Sequence, residues 1–196
     1  SFTISMWIKA AGTGQNDRRF FSESSEINNN PLFNIGTRNN GSDNTVDIYL
    51  RDGGSPNHQF STTEPFDDTW HHIAYTHDDT TMTIQLYVDG VLTSVDYGTP
   101  TGALATPGDV IFGRNQTNQG VVDGLGKFTG EFGPIRIFAH ELTQSEVEYE
   151  YDMFALRYKG SFTATPADAA SPVGGLSINS ETGIIDVSAS VSGTYV

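Results

Sequence analysis

Amide, carboxylate and imidazole side chains are concentrated in two polar segments that separate apolar runs of this sequence. Asn115, Asn118 and Asp123 lie in the segment 115–126, and Asp52 and His58 lie in or beside the segment 52–57. These groups exchange hydrogen bonds with hydroxyl groups, so the five residues are the candidates for binding a glycan. Solvated surface loops have a similar composition, and that interpretation stays open.

The sequence contains only weak evidence for a metal site or for a hydrolytic active site. His71 and His72 are adjacent, and adjacent strand residues point to opposite faces, so this pair is not expected to chelate one zinc ion. Glu131 stands alone among Phe, Gly and Pro, whereas glycoside hydrolysis usually needs two carboxylates. The chain has no cysteine, and no serine lies in a Gly-x-Ser-x-Gly turn. We therefore expect no catalytic residues and no enzyme.

The elements that carry these residues follow the two-residue period of half-buried β-strands. Phe2, Ile4, Met6 and Ile8 alternate with more polar residues and with Trp7. Asp89-Gly90 favours a type I′ hairpin turn. Further strands are predicted at residues 19–22, 31–37, 46–50, 71–77, 81–88, 91–94, 110–113 and 131–138. The polar segments between them, including 52–57 and 115–126, are predicted loops. The pattern predicts an all-β sandwich of two antiparallel sheets.

One helix and a separate tail complete the predicted organisation. Thr143 and Glu146 form a capping-box pattern ahead of an apolar stripe, which predicts a short helix near residues 144–157. The alternating acidic residues of that helix are predicted to be a solvated face. After residue 159 the composition shifts to Ala, Ser, Pro, Gly and Thr, so we expect domain 1–159, and a linker with a partial small β-domain at 160–196. Both termini fall in strand-like segments, so a longer parent polypeptide is expected.

Composition limits the partners. The net charge of −14 disfavours nucleic acid, which needs a basic surface. No run of about 18 apolar residues is present, so membrane insertion is not expected. Trp7 and Trp70 lie in predicted strands and are expected to pack in or beside the core rather than stack on a sugar.

Several segments, in order and spacing, resemble the laminin G-like and pentraxin-type jelly rolls of the concanavalin A-like lectin/glucanase group. The resemblance covers residues 1–158 and rests on segments 1–9, 70–75, 84–90, 128–138 and 142–147. It implies a jelly-roll sandwich, a fold that serves lectins, adhesion proteins, virion proteins and glucanases alike. The glucanases of this group carry Glu-x-Asp-x-x-Glu on one strand, and no such run occurs here.

The same resemblance raises the question of whether the chain has a calcium site. In pentraxins the loop after the strand that corresponds to residues 110–113 supplies carboxylate and amide ligands. Gln116 keeps the amide, but Asn115 and Thr117 replace both carboxylates, which argues against that particular site. A different calcium site that uses Asn115, Gln116 and Asp123, or Asp17 and Asp52, stays open. No cofactor is required.

The tail 175–195 resembles small immunoglobulin-like repeats of bacterial surface and phage structural proteins. Together with the jelly roll, it implies a non-catalytic glycan-binding or adhesion module in a secreted or surface-exposed multidomain protein. The alternative is a structural virion or filament protein at the virion surface. Expected partners are glycans, surface proteins or neighbouring subunits, outside the cell.

Overall fold

The computed structural model describes residues 1–24, 32–38, 44–51, 57–81, 83–97, 110–114, 116–118, 121–122 and 126–159. Within these residues, twelve strands precede one helix, α1 (Gln144–Lys159). The strands are β1 (Phe2–Ala10), β2 (Arg19–Ser24), β3 (Leu32–Thr37), β4 (Val46–Arg51), β5 (Asn57–Phe60), β6 (Trp70–Asp78), β7 (Thr83–Val88), β8 (Val91–Tyr97), β9 (Val110–Phe112), β10 (Gln116–Asn118), β11 (Val121–Val122) and β12 (Gly130–Phe138).

Two five-stranded sheets form a sandwich, as the alternating pattern predicts. Sheet 1 has the order β12-β1-β6-β7-β8, and sheet 2 has the order β5-β4-β3-β2-β9. All pairs within the two sheets are antiparallel. β5 contacts β8 at one side of the sandwich, and the rings of Phe112 on β9 and Phe132 on β12 lie 6.5 Å apart at the other. The jelly-roll prediction is therefore confirmed.

The core lies between the sheets and contains the inward residues of both. Ile4, Met6 and Ile8 of β1 are almost fully buried in it, as the alternation predicts. Phe33 of sheet 2 lies 4.8 Å from the ring of Tyr75 in sheet 1, measured between centroids. Such aromatic pairs add to the stabilisation that burial of apolar surface provides.

The outer face of sheet 1 is also buried, because the chain after β12 folds back over it. Ala74, Tyr87, Leu142 and Val147 form a second apolar cluster there. The hydroxyl of Thr3 donates to the carbonyl of His140 (3.0 Å) and accepts from the amide of Leu142 (2.8 Å). This cover explains why seven of the nine residues of β1 are buried although a strand with one solvated face would bury about half.

The start of α1 follows the predicted capping box. The amide of Thr143 donates to Oε2 of Glu146 at 2.8 Å, and the amide of Glu146 donates to Oγ1 of Thr143 at 3.4 Å. The prediction of a solvated acidic face is wrong for Glu150, which is buried and pairs with Arg136 at 2.9 Å. The Glu150 carboxylate pairs with the Arg136 guanidinium on β12, and the sequence pattern of the helix alone does not show this partner.

Several predicted boundaries change in the structure. The sequence predicts loops at 52–57 and 115–126, but β5 begins at Asn57, and β10 and β11 form a small two-stranded sheet. These strands have two to four residues each, and β5 and β10 are rich in polar residues, so periodicity does not reveal them. β7 begins at Thr83 rather than 81, and β8 extends to Tyr97.

The chain divides into two compact units, Ser1–Glu150 and Tyr151–Val196. The described part of the second unit is the helical segment 151–159, in which Arg157 stacks over the ring of Tyr158 at 5.6 Å. The predicted tail domain of residues 160–196 lies outside the described residues, and its boundary stays a prediction. No helix in the described ranges is long and apolar enough to cross a membrane.

Candidate functional site

Most of the predicted glycan and calcium residues lie outside the described residues or have undescribed side chains. Asp52, Asn115 and Asp123 are outside the described residues, and for His58, Gln116 and Asn118 only the backbone is described. His58 lies on β5, an edge strand of sheet 2, where it pairs with Tyr49. β10, which holds Gln116 and Asn118, contacts β2 near the other edge of that sheet. The backbone thus places His58 apart from the 116–118 segment.

The described residues reveal a different polar constellation at the opposite sheet, around His71. Its Nδ1 atom lies 2.7 Å from Oδ2 of Asp89, and its Nε2 atom lies 3.1 Å from Oδ1 of Asp67. Oδ1 of Asp89 also accepts from the amide of His72 (2.9 Å), and the amide of Asp89 donates to the carbonyl of His72 (2.8 Å). Two carboxylates therefore fix the imidazole from both sides.

The β7–β8 turn explains how Asp89 reaches this position. Asp89 and Gly90 have φ values of 51° and 77°, which confirms the predicted type I′ turn. Asp and Gly tolerate these left-handed conformations better than most residues do. The turn directs the Asp89 carboxylate back to the start of β6, because β6 and β7 are neighbours in the sheet.

On the far side of the imidazole, Asp67 belongs to the segment that leads into β6. Burial raises the pKa of this carboxyl, but hydrogen bonds from the Thr69 hydroxyl and amide and from His71 outweigh that effect, so the pKa lies below its usual value. The ionised form of Asp67 is therefore favoured beside the His71 ring.

A cleft of about 330 Å³ opens beside the His71–Asp89 pair, at the β8 edge of sheet 1. Its volume lies within the range of small-molecule sites. The polar residues that line it come from the segment before β6, from β6, from the β7–β8 turn and from β8: Thr63, Glu64, His71, Asp89 and Thr93.

Aliphatic side chains form the rest of the cleft lining. Pro65 and Val88 are buried, whereas Val91 at the start of β8 is 63% exposed. The cleft thus combines an apolar wall with carboxylate, imidazole and hydroxyl groups, which suits a ligand that has both C–H and hydroxyl surface. Sequence reasoning missed this site because its residues come from four separate segments and Asp89 was interpreted only as a turn residue.

His72 points to the other face of β6, as the sequence predicts. His71 pairs with Ile8 and His72 pairs with Trp7 across β1, so the two imidazoles project from opposite faces. Nε2 of His72 lies 2.8 Å from the hydroxyl of Ser5, and both His72 and Trp7 are buried. The predictions that the two histidines point to opposite faces and that Trp7 packs in the protein agree with the structure.

Glu23 on β2 is a buried carboxyl in the interior of the sandwich. It pairs in register with Phe33 and Val110 of the flanking strands, and burial raises its pKa to about 7. A single carboxyl of this kind does not supply the two-carboxylate chemistry of glycosidases.

Within the described part of the chain, no group of three or more His, Asp or Glu residues is placed to hold a metal ion. The Asp67, His71 and Asp89 side chains use their polar atoms on one another, which agrees with this result. A calcium site at Asn115, Gln116 and Asp123 stays a prediction, since these side chains are not described.

Comparison with protein families adds the classification that the fold suggests. The family model described as the concanavalin A-like lectin/glucanases superfamily, Laminin_G_3, matches residues 1–148. The chain belongs to this superfamily. No curated protein matches the chain by sequence.

Solved structures of this superfamily fold resemble the chain at low sequence identity. The CBM40 of the Ruminococcus gnavus IT-sialidase, solved alone and bound to α2,3-sialyllactose, is 18% identical with a TM-score of 0.62, and covers 76% of this chain and 82% of the CBM40. A heptameric SAP-like pentraxin from Limulus polyphemus is 17% identical with a TM-score of 0.58, covering 75% of this chain and 67% of its own. The leech intramolecular trans-sialidase is 20% identical with a TM-score of 0.59, and the match spans 76% of this chain but 22% of the enzyme. These TM-scores show a shared fold.

Proposed function

We propose that this member of the superfamily is a non-catalytic glycan-binding module of a secreted or surface-exposed protein. The observation that carries the proposal is the cleft at the β8 edge, where an apolar wall meets the fixed Asp89 carboxylate and the Glu64 side chain. Family membership supports it, since one structural neighbour was solved with sialyllactose bound. The sequence resemblance of the tail to immunoglobulin-like repeats supports a place in a multidomain surface protein.

Sugar recognition at this cleft would rest on preorganised acceptors. The Asp89 carboxylate is held by the His72 amide and by His71, so its orientation is set before a ligand arrives. Carboxylate oxygens have more than one lone-pair direction, so each can accept more than one hydrogen bond, including one from a sugar hydroxyl. The aliphatic residues Pro65, Val88 and Val91 would contact the C–H groups of a pyranose ring.

The polar segments remain a second proposed contact region. Asn115, Asn118, Asp123, Asp52 and His58 would donate and accept hydrogen bonds with glycan hydroxyls, as the sequence predicts. Calcium, if it contributes, would be held by the oxygen atoms of Asn115, Gln116 and Asp123.

A glycan array with the full chain tests the proposal. We expect a defined subset of glycans to bind, and Asp89→Asn to weaken that binding while Asp68→Asn, the matched control outside the cleft, leaves it unchanged. Repeating the array with calcium and with a chelator separates a calcium-dependent site from the β8 cleft. Absence of binding to every glycan in both conditions would overturn the proposal.

A second candidate function is a structural subunit of a virion or filament. The observation that favours it is an apolar strip at the side of the sandwich opposite the cleft, where Val110, Phe112 and Ile137 are 40%, 40% and 58% exposed. Exposed apolar groups of this kind occur at subunit contacts. Light scattering of the full chain and of Ile137→Asp tests this candidate, which requires assembly that the substitution abolishes.

A further inference from the structure

Half of the lysine and arginine residues of this acidic chain belong to three sequence stretches. The chain has ten lysine and arginine residues against twenty-four acidic residues. Stretches 13–21, 36–46 and 113–128 together hold five of the ten cations and three of the acidic residues. The cations are Arg18, Arg19, Arg38, Arg114 and Lys127, and the acidic residues are Asp17, Asp43 and Asp123. Positive charge is therefore concentrated in these stretches, whereas the rest of the chain is strongly acidic.

The first two stretches meet where β2 begins and β3 ends. The amide of Thr37 donates to the carbonyl of Arg18 at 2.8 Å, and the amide of Arg18 donates to Oγ1 of Thr37 at 2.9 Å. Arg38 follows Thr37 directly, and its amide donates to the carbonyl of Thr45 at 3.1 Å. These hydrogen bonds place the backbones of Arg18 and Arg38 in neighbouring segments at one end of sheet 2.

The third stretch joins the same end of sheet 2 from the other side of β2. Arg19 and Lys127 form a parallel β-bridge, and the amide of Gly113 donates to the carbonyl of Phe20 at 2.9 Å. Arg114 follows Gly113, just after edge strand β9. Paired β-backbones lie about 5 Å apart, so Arg114 and Lys127 both lie close to the start of β2.

Exposure divides these cations into a buried centre and an accessible rim. The Arg19 side chain is only 11% exposed and pairs with Asp17 at 2.5 Å. Arg114 and Lys127 are exposed, and Arg18 is partly exposed. Arg18, Arg114 and Lys127 form what we call the basic patch. Because Arg19 already has a carboxylate of the protein, binding of an outside anion falls to the side chains of the basic patch.

The charge distribution favours a short anionic ligand. Guanidinium and ammonium groups donate charge-assisted hydrogen bonds to oxyanions such as carboxylate and sulfate, and arginine can form two parallel bonds to one such group. A nucleic acid carries a charge about every 1.7 Å and would extend from the patch onto an acidic surface that repels it. An oligosaccharide with widely spaced charged groups needs only a few cations. Screening over about 8 Å at physiological ionic strength lets the patch act locally despite the net charge of −14.

We infer that the basic patch binds an anionic saccharide through the carboxylate or sulfate groups of that saccharide. The inference goes beyond the proposed function, because none of the three patch residues is among the lining residues of the β8 cleft named above. It gives the chain a second site, whose ligand class is set by charge.

Titration of the full chain with three hexasaccharides tests the inference, with amide NMR to locate the binding. Chitohexaose is neutral, unsulfated chondroitin hexasaccharide carries carboxylates, and chondroitin 4-sulfate hexasaccharide carries carboxylates and sulfates. We expect both chondroitin ligands to bind with shifts at Arg114 and Lys127, and chitohexaose to give no shifts there. Tighter binding of the sulfated ligand would identify sulfate as the preferred group, and equal affinity would identify the carboxylate. Added salt should weaken both chondroitin complexes.

Lysine substitutions separate the basic patch from cations elsewhere. Lys127→Gln should weaken binding of the sulfated ligand roughly fivefold to tenfold, whereas Lys127→Arg should retain it, because arginine keeps the charge. Lys9→Gln is the matched control, since Lys9 lies on sheet 1 and pairs with Glu131 at 3.4 Å. This control should leave the affinity unchanged.

Three results would overturn the inference. They are equal losses in Lys127→Gln and Lys9→Gln, equal affinity for all three hexasaccharides, and chondroitin ligands that give no shifts at Arg114 and Lys127. Shifts at Val91 in place of Lys127 would put the anionic ligand in the β8 cleft, and would support the proposed function while removing this inference. Loss of glycan binding in Asp89→Asn tests the proposed function separately.

Discussion

The Nδ1 atom of His71 lies 2.7 Å from Oδ2 of Asp89, joining the first residues of β6 to the turn between β7 and β8. The same carboxylate accepts from the amide of His72. One side chain therefore holds the β7–β8 turn against β6 and orients His71 in the lining of the cleft. Hydrogen bonds to charged groups contribute more to stability than neutral ones.

Asp89 is therefore expected to be sensitive to substitution. Asp89→Asn keeps an oxygen for the His72 amide and should lower the free energy of unfolding by about 1 kcal/mol, through loss of the charge beside His71. Asp89→Ala loses both contacts and places alanine at a φ of 51°, so the loss should reach about 2–3 kcal/mol. Urea unfolding measures both. Asp68→Asn is the matched control, since Asp68 also has a positive φ of 68°, and equal losses at both positions would contradict the account.

Glu23 should make stability fall as pH rises. Burial raises its pKa from the usual 4.5 to about 7, so between these values the folded state holds a proton that the unfolded state has released. Stability is therefore lost across pH 4.5–7. Glu23→Gln should be more stable than the parent at alkaline pH by roughly 1–2 kcal/mol, a value reduced for residual contact with water, and similar to it near pH 4. Urea unfolding across pH checks this, and parallel pH profiles of the two proteins would refute it.

His72 should act in the opposite direction over nearly the same range. Burial lowers its pKa from 6.5 to about 4, although the Asp89 charge opposes the shift, so the unfolded chain binds a proton that the folded chain does not. Stability from this group is complete above pH 6.5 and falls as pH drops towards 4. The ring proton resonances of His72 should stay constant from neutral pH down to about pH 5. Titration of that ring with a midpoint near its usual pKa would contradict the assignment.

Hydrolysis of β-glucans is not expected. Glu131 lies at the exposed start of β12 and pairs with Lys9 at 3.4 Å, and one carboxylate cannot be both the acid and the nucleophile of glycoside hydrolysis. Laminarin and lichenan should therefore release no reducing sugar when incubated with the protein. Release that disappears in Glu131→Gln would show that a catalytic site exists.

The fold could be predicted well because its signals are local and periodic. Alternation in β1, the Asp89-Gly90 turn and the Thr143–Glu146 capping box each act over a few residues, and the structure contains all three. The sequence does not predict the short strands β5, β10 and β11, because β5 and β10 are mainly polar and β11 has only two residues, too few for an alternation pattern. The burial of Glu150 depends on Arg136, a residue of another element.

The candidate site was harder to predict because its contacts are distant in sequence. Glu64, His71, Asp89 and Thr93 meet only after the segment before β6 packs beside the β7–β8 hairpin. Counting polar residues in loops favoured Asn115, Asn118 and Asp123 instead, since those are adjacent in the chain. Glycan binding at these loop residues and glycan binding at the β8 cleft are therefore two separate hypotheses, and each can be tested.

Isothermal titration of the full chain with the strongest glycan from the array tests the central claim most directly. The account predicts saturable binding of one ligand per chain, without bond cleavage, that weakens in Asp89→Asn and persists in Asp68→Asn. Heats that do not saturate with any glycan, or identical binding by all three proteins, would contradict glycan recognition at the β8 cleft.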